Sequence, residues 1–195
     1  MSTSKPASPL ISGGDLMTIP NLLSFARIGG VTLTVALYLA GHRWLAVAIG
    51  IVAGMTDFLD GYMARRLQQE TALGAMLDQA ADSFTTAILL AMLVVVGGAP
   101  FAFLVIFLLR EFWVATIRRY GAAAGIEIPS SSLGKLATAV IYLGILAAAV
   151  AVLPELSSQL AAALHWTALA GLGVGLALSC ATAWRYTRAL AVAPV

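Results

Sequence analysis

The chain has few charged residues and almost no cysteine. Only 10% of its 195 residues are Asp, Glu, Lys or Arg, whereas 61% are hydrophobic. Soluble domains carry about 25% charged residues, so this composition excludes an ordinary soluble domain. The single cysteine, Cys180, excludes an internal disulfide and a cysteine-rich zinc site. A net charge of +2 is too small to indicate a nucleic-acid partner. The sequence therefore predicts an integral membrane protein.

Long apolar runs make up most of the chain. A membrane-spanning helix needs about 20 predominantly apolar residues. Six runs reach that length, at Ile19–Leu39, Trp44–Arg66, Leu73–Val96, Phe101–Tyr120, Leu133–Leu153 and Leu164–Tyr186. We predict an all-α polytopic membrane protein with one six-helix domain over residues 15–190. A disordered segment, residues 1–14, and a short amphipathic juxtamembrane helix at Asp15–Ile19 are expected before the first span.

The residues that flank the spans predict the orientation of the chain. Of the eleven Lys and Arg residues, only Arg43 lies on the opposite side from the others. Because cytoplasmic loops are enriched in Lys and Arg, we expect both termini in the cytoplasm. The membrane is expected to be the cytoplasmic (inner) membrane of a bacterium. An interfacial aromatic belt is predicted near the span ends. Its members would be Tyr38, Trp44, Trp166, Trp184 and Tyr186.

Four aspartates lie in this apolar chain between residues 57 and 82. Asp57 and Asp60 are three residues apart. Asp78 and Asp82 are four apart, so each pair shares one helix face. A charge at the membrane centre costs about 2.5–3.5 kcal/mol on insertion scales, so four are hard to explain by packing. The second and third spans would form a hairpin on which the carboxylates converge. Oxygen ligands favour Mg²⁺ or Mn²⁺ over zinc, and we predict a divalent-metal site.

Small residues and an arginine accompany the aspartates. Gly61 and Gly74 flank them. Glycine costs about 1 kcal/mol relative to alanine inside a helix, so its use indicates close approach of a ligand or of another helix. Ala64 is also small, and Arg65 has a planar guanidinium that suits phosphate oxygens. The set suits a pyrophosphate ligand, with helix packing as an equal alternative for the three small residues.

Residues 57–82 read D-x2-D-G-x2-A-R-x8-G-x3-D-x3-D. This pattern resembles the signature of the CDP-alcohol phosphotransferase family, and every signature position is filled. The resemblance implies a six-helix membrane enzyme of phospholipid biosynthesis that acts on a CDP-activated lipid. It also implies a homodimer, with two divalent ions, Mg²⁺ or Mn²⁺, in each active site on the cytoplasmic side.

The resemblance further implies a role for each signature position. The ions would be held by four aspartates, Asp57, Asp60, Asp78 and Asp82. Asp82 would also be the general base that deprotonates the acceptor alcohol. The cytidine diphosphate would lie against the small residues and the arginine, with one further contact just before the signature. These nucleotide-binding residues would be Gly61, Ala64, Arg65, Gly74 and Thr56.

A second set of cations indicates how an acceptor could be bound. Arg110 and Arg118 are eight residues apart and share a helix face, and Lys135 lies near the start of the fifth span. Three cations near one membrane surface suit an acceptor phosphate. Alternatively, their side chains extend to the interface, as long basic side chains often do. Arg110 could also pair with Glu111 or with an aspartate.

Three segments resemble the branch of the family that joins glycerol 3-phosphate to CDP-diacylglycerol. They are Thr18-Ile-Pro-Asn21-Leu-Leu-Ser24-Phe-Ala-Arg27, Arg110-Glu111 and Leu133-Gly-Lys135-Leu-Ala-Thr138. The resemblance places Asn21 and Arg27 near the site, unless both are interface anchors. Members of that branch often read Asp-Pro-x-Ala-Asp-Lys at the third-span acids, whereas this chain has Asp78-Gln-Ala-Ala-Asp82-Ser.

We therefore predict a phosphatidyltransferase with CDP-diacylglycerol and glycerol 3-phosphate as substrates. Other acceptors within the family are inositol phosphate, serine and choline; serine has no phosphate and would leave the second cation set without a partner. A hypothesis of a different class is an ion or metal transporter that uses the aspartates. A transporter has no need of the glycines and Arg65 at fixed offsets, and often contains an internal repeat that this sequence lacks.

Overall fold

The computed structural model describes residues 18–54, 72–126, 128 and 131–192. Within those residues every regular element is a helix. The helices, in chain order, are α1 (Ile19–Leu39), α2 (Arg43–Gly54), α3 (Ala72–Val95), α4 (Phe101–Ala123), α5 (Ser132–Ala151) and α6 (Ser158–Val192). The all-α prediction is confirmed for this part of the chain. Most of the predicted juxtamembrane helix and residues 55–71 lie outside it.

Four helices, α1, α3, α5 and α6, are long and apolar enough to cross a membrane. In α4 four charged residues, Arg110, Glu111, Arg118 and Arg119, interrupt a mainly apolar sequence. The described part of α2 is a shorter apolar helix of twelve residues. Four of the six predicted spans are thus supported by helix length and composition, and the chain is a membrane protein.

The predicted start and end of α1 are confirmed, and those of α3 and α5 differ by one or two residues. The largest difference is in α6, which begins at Ser158 and ends at Val192, six residues beyond the predicted span at each end. At 1.5 Å per residue α6 is about 52 Å long, whereas the hydrocarbon core is about 30 Å thick. Polar residues at both ends of α6 can therefore continue the helix outside the apolar layer.

Local sequence explains where the helices begin. Pro20 lies in the first turn of α1, where its missing N–H would have no helical acceptor. Ser131 caps α5, with its side chain accepting a hydrogen bond from the Gly134 N–H at 3.1 Å. Between α1 and α2, Gly41 has φ +94°, a conformation that L side chains rarely adopt.

The chain divides inside α3, between Thr85 and Thr86, into two compact units. In the first unit, α1 buries a largely polar face. This face consists of Asn21, Ser24, Arg27, Val31, Thr34 and Tyr38. Helix α2 packs closely on α1, because a Cβ added at Gly30 would lie 3.3 Å from the Ala53 Cβ, and one at Gly50 would lie 3.2 Å from Thr34.

In the second unit, α5 and α6 pack closely through glycines. A Cβ added at Gly144 would lie 2.9 Å from the Leu172 Cγ, and one at Gly175 would lie 2.7 Å from the Ile141 Cγ1. Helix α4 also packs on α6, and Trp113 of α4 donates a hydrogen bond to the Thr187 hydroxyl at 3.0 Å. Small residues allow helix backbones to approach closely, which is how helices associate in a membrane.

Candidate active site

Two of the predicted metal ligands lie on α3. Asp78 and Asp82 are one helical turn apart, and Gly74 lies one turn before Asp78. The Asp78 side chain is 55% exposed and Asp82 is half-buried. The two carboxylates therefore lie on the same face of one helix, near its start, and the first of them is open to a ligand.

Arg27 of α1 contacts the first of these carboxylates. Its Nη2 donates a hydrogen bond to the Asp78 Oδ1 at 3.3 Å and forms an ion pair with it. The Arg27 side chain is only 1% exposed. Ser24 and Asn21 lie on the same buried face of α1, about one and two turns before Arg27. Helix α1 thus brings a buried cation to the aspartate pair.

The described carboxylates suit a divalent ion. Mg²⁺ and Mn²⁺ prefer oxygen ligands, and a carboxylate that accepts a hydrogen bond on one oxygen retains further acceptor capacity for a metal. Within the ranges that the structure describes, no three His, Cys, Asp or Glu side chains form a cluster. Asp78 and Asp82 are two of the four predicted ligands. The other two, Asp57 and Asp60, lie outside these ranges.

The other signature residues also lie outside the described part of the chain. They are Gly61, Ala64 and Arg65, and Thr56, the residue before the signature, lies outside it too. Gly74 is described and is half-buried on α3, so a nucleotide role for it stays a prediction.

Arg110, in the middle of α4, is engaged by two groups of the second unit. Its Nε donates a hydrogen bond to the backbone carbonyl of Ser179 in α6 at 3.3 Å. Its Nη1 forms an ion pair with Glu111, one of the pairings that the sequence left open. Because the side chain is only 16% exposed, these contacts compensate a largely buried charge.

Arg118 lies two turns further along α4, against an aromatic ring. Its guanidinium carbon lies 5.5 Å from the centre of the Tyr186 ring of α6, within the range of a cation–π interaction. Its Nε is buried and has no hydrogen-bond partner among the described residues. Arg118 is therefore held by the ring face, and its guanidinium keeps capacity to donate to an anion.

Tyr186 also connects α6 to the start of α5. Its hydroxyl oxygen accepts a hydrogen bond from the Ser131 N–H at 3.0 Å and donates one to the Ser131 Oγ at 3.3 Å. Lys135 lies in the first turn of α5 and is exposed. Tyr186 thus contacts both Arg118 and the cap that precedes Lys135. We name Arg118, Tyr186, Ser131 and Lys135 the α5 cation cluster.

The predicted aromatic belt is wrong for its two tyrosines. Tyr38 is 2% and Tyr186 is 7% exposed, so both are buried inside their units. The three tryptophans of the belt, Trp44, Trp166 and Trp184, are exposed. Tyrosine differs from them in that its hydroxyl finds partners within the protein, as Tyr186 does with Ser131.

Two contacts of the site were missed from the sequence. Ser131 is one of them, although a Ser at the start of an apolar run is a recognisable cap position. Tyr186 was assigned to the interface. The resemblance to the family, and not the spacing of residues, predicts that Arg27 lies near the site. Its ion pair with Asp78 joins residues 51 positions apart.

Comparison with known proteins agrees with these features. Residues 17–174 match the CDP-alcohol phosphatidyltransferase family, and the chain belongs to this family. The match takes in α1 to α5 and the start of α6, and it includes Arg27 and all four aspartates.

Two named relatives are similar to the chain over about two thirds of its length. The chain is 33% identical over 141 residues to a CDP-diacylglycerol–glycerol-3-phosphate 3-phosphatidyltransferase of Cereibacter sphaeroides, covering 65% of this chain and 64% of that enzyme. It is 35% identical over 133 residues to a CMP-forming cardiolipin synthase of Oryza sativa subsp. japonica, covering 66% of this chain and 38% of that enzyme. The chain thus spans less than two thirds of either relative.

A solved structure has a similar fold. The phosphatidylinositol phosphate synthase of Mycobacterium tuberculosis, in its apo form, matches with a TM-score of 0.59, covering 88% of this chain and 90% of that one. The two sequences are 17% identical, so this likeness concerns the fold alone.

Proposed function

We propose that the protein transfers a phosphatidyl group from CDP-diacylglycerol to glycerol 3-phosphate, releasing CMP and forming phosphatidylglycerophosphate. The observation that carries this proposal is the α3 pair Asp78 and Asp82, one turn apart on one helix face within a complete family signature. The name of the Cereibacter relative supports the two substrates.

The acid–base step is assigned to Asp82. Its carboxylate takes the proton from the acceptor hydroxyl, and the resulting oxygen nucleophile attacks the phosphorus that carries the diacylglycerol. The bond from that phosphorus to the oxygen it shares with CMP breaks, and CMP leaves with the electron pair.

The four aspartates are assigned to two divalent ions, as expected of this family. Asp57, Asp60, Asp78 and Asp82 supply the hard oxygen ligands that Mg²⁺ or Mn²⁺ prefers. When bound, the ions would neutralise the pyrophosphate and stabilise the departing CMP. The nucleotide itself is assigned to the remaining signature residues and the residue before them, Thr56, Gly61, Ala64, Arg65 and Gly74.

The acceptor phosphate is assigned to the α5 cation cluster and Arg110. Arg118 and Lys135 are the stronger candidates, because Arg118 keeps donor capacity and Lys135 is exposed in the first turn of a helix. Arg110 is weaker, since Glu111 and the Ser179 carbonyl already engage it. A helix N-terminus favours a negative group, and Lys135 adds a positive charge there.

Six membrane spans with both termini in the cytoplasm remain our proposal for the whole chain, with the site on the cytoplasmic side of a bacterial inner membrane. The placement of Lys and Arg supports this orientation. Family resemblance supports a homodimer.

CMP release tests the proposal. Purified protein in CDP-diacylglycerol liposomes would be given Mg²⁺ or Mn²⁺ and one acceptor at a time: glycerol 3-phosphate, inositol phosphate, serine, choline or phosphatidylglycerol. We expect release with glycerol 3-phosphate alone and none with EDTA. Asp82→Asn should lower the rate by about 10²–10⁴-fold, the usual contribution of a general base.

Glu155→Gln is the matched control, because it makes the same carboxylate-to-amide change at an exposed position between α5 and α6. It should leave the rate unchanged. Release with another acceptor would keep the reaction and replace the acceptor; phosphatidylglycerol would do so in favour of cardiolipin synthesis. No release with any acceptor, together with metal transport across the bilayer, would favour the transporter hypothesis.

A further inference from the structure

Arg27 has the largest side chain among the almost fully buried residues in the described part of the chain. A buried cation is costly unless a counter-charge and hydrogen bonds compensate it. Asp78 provides that counter-charge, with its Oδ1 3.3 Å from the Arg27 Nη2. The sequence thus keeps a buried charge on α1 that faces the start of α3.

The two partners of this ion pair differ greatly in exposure. The Arg27 side chain is 1% exposed and the Asp78 side chain 55%. A carboxylate that served only to neutralise a buried arginine would be buried with it. Here one oxygen of Asp78 contacts Arg27, while much of the carboxylate lies open. Two carboxylate oxygens offer about four lone-pair sites, so this contact leaves capacity for a metal ion.

The surroundings of Arg27 suit a fixed position. Asn21, Ser24 and Val31 lie before and after it on the same buried face of α1. A side chain enclosed in this way is restricted in its rotamers, and its guanidinium has a planar set of donors. Arg27 can therefore orient the carboxylate that it contacts.

We propose that Arg27 is a positioning residue for the metal ligand Asp78. Its guanidinium holds Oδ1 and so orients the remaining lone pairs of Asp78 toward the ion that the aspartates bind. Its positive charge also reduces the repulsion between Asp78 and Asp82, one turn apart on α3. This inference rests on the proposed function in one respect, that Asp78 is a metal ligand. Hydrogen-bonded partners of ligating carboxylates commonly have this role in metal sites.

Mn²⁺ binding tests the inference without reference to turnover. The loss of the free Mn²⁺ signal in electron paramagnetic resonance would be measured with purified full-length protein in nanodiscs. Replacing an outer partner of a metal ligand typically weakens binding by about 10–100-fold, and we expect that increase in Kd for Arg27→Gln. Arg27→Lys should have a smaller effect, because lysine keeps the charge but not the planar donors.

Arg188→Gln is the matched control, since Arg188 is exposed near the end of α6. It should leave the Kd for Mn²⁺ unchanged. In an Asp78→Asn background, Arg27→Lys should no longer alter Mn²⁺ binding, because its target carboxylate is gone. This double-mutant comparison also covers the case in which Arg27→Gln fails to fold.

An unchanged Kd in folded Arg27→Gln, or an equal effect of Arg27→Lys with and without Asp78, would overturn the inference and leave Arg27 a structural residue. No Mn²⁺ binding by the unaltered protein would also overturn it. The proposed function fails separately: Mn²⁺ binding that depends on Arg27 and Asp78, without CMP release from any acceptor, would support the positioning role and contradict the transferase.

Discussion

In the first unit, α1 contacts the first part of α3 differently from the way α5 contacts α6 in the second unit. In the first unit, a buried arginine reaches a half-exposed aspartate, and the face of α1 around it includes Asn21 and Ser24. In the second unit, apolar side chains fill the space above glycines, as Leu172 does at Gly144. One contact is made by charges and the other by close packing.

This difference indicates that the α1–α3 contact serves the reaction and that the α5–α6 contact stabilises the fold. Burial of charge opposes stability in a membrane, so a polar contact there indicates a chemical role. Close packing of small residues needs no such explanation, because it is how membrane helices associate. We therefore expect substitutions at the α1–α3 contact to reduce activity more than stability, and substitutions at the α5–α6 contact to do the reverse.

The largest expected effect is that of Asp78→Asn. An amide keeps the size of the side chain but removes the negative charge, and a metal ion contributes several kcal/mol to transition-state stabilisation. We expect CMP release to fall by about 10²-fold or more, the equivalent of at least ~2.7 kcal/mol. Because the amide oxygen can still accept the hydrogen bond from Arg27 and the side chain is 55% exposed, the stability loss should stay below the roughly 3–5 kcal/mol expected when a buried ion pair loses one partner. Thermal unfolding with EDTA present measures it, and a large drop in melting temperature would contradict the separation.

Gly175→Ala should have the opposite pattern. The added Cβ would lie 2.7 Å from the Ile141 Cγ1 and 3.1 Å from its backbone nitrogen, so α5 would have to shift. Overpacking of this kind costs about 1–3 kcal/mol, and thermal unfolding should show it.

Gly173→Ala on the same helix is the control for this change. An added Cβ there meets no atom within 4 Å. The helix propensity of alanine should then leave stability equal or up to about 1 kcal/mol higher. If both alanine variants unfolded at the same temperature, close packing at Gly175 would not explain the stability of the α5–α6 contact.

The α5 cation cluster contains both charged groups and a closely packed aromatic ring. Arg118→Gln tests whether its charge binds the acceptor phosphate. Loss of the guanidinium removes charge-assisted hydrogen bonds to the acceptor phosphate, which are worth about 1.5–3 kcal/mol. We expect the KM for glycerol 3-phosphate to rise by about 10-fold or more, with the KM for CDP-diacylglycerol unchanged. Arg119→Gln, one residue further along and exposed, should change neither value. An equal rise in both constants for Arg118→Gln would argue against an acceptor role.

Much of this arrangement can be predicted from sequence because apolar run length determines where membrane helices lie. The start and end of α1 follow from such a run, which begins at Ile19 and has Pro20 in its first turn. The ends of α6 do not, since polar residues outside the apolar layer are compatible with continued helix. Spacing alone also put Asp78 and Asp82 on one face.

Contacts between distant helices could not be predicted in the same way. The Arg27–Asp78 pair joins residues 51 positions apart, and periodicity shows only which face each residue occupies. Tyr186 presented the same difficulty: an aromatic residue near the end of a span can face lipid or protein. Its burial follows from the Ser131 and Arg118 groups that α5 and α4 place beside it.

Tyr186→Phe should have the smallest effect and can separate the two functions of this tyrosine. Phenylalanine keeps the ring that faces Arg118 but loses the hydroxyl that bonds Ser131. The loss of a buried hydrogen bond costs about 0.5–1.5 kcal/mol, so unfolding should occur at a slightly lower temperature. The KM for glycerol 3-phosphate should rise less than in Arg118→Gln, because the guanidinium stays in place. A rise as large as that of Arg118→Gln would instead mean that the hydroxyl, through the start of α5, orients the acceptor phosphate.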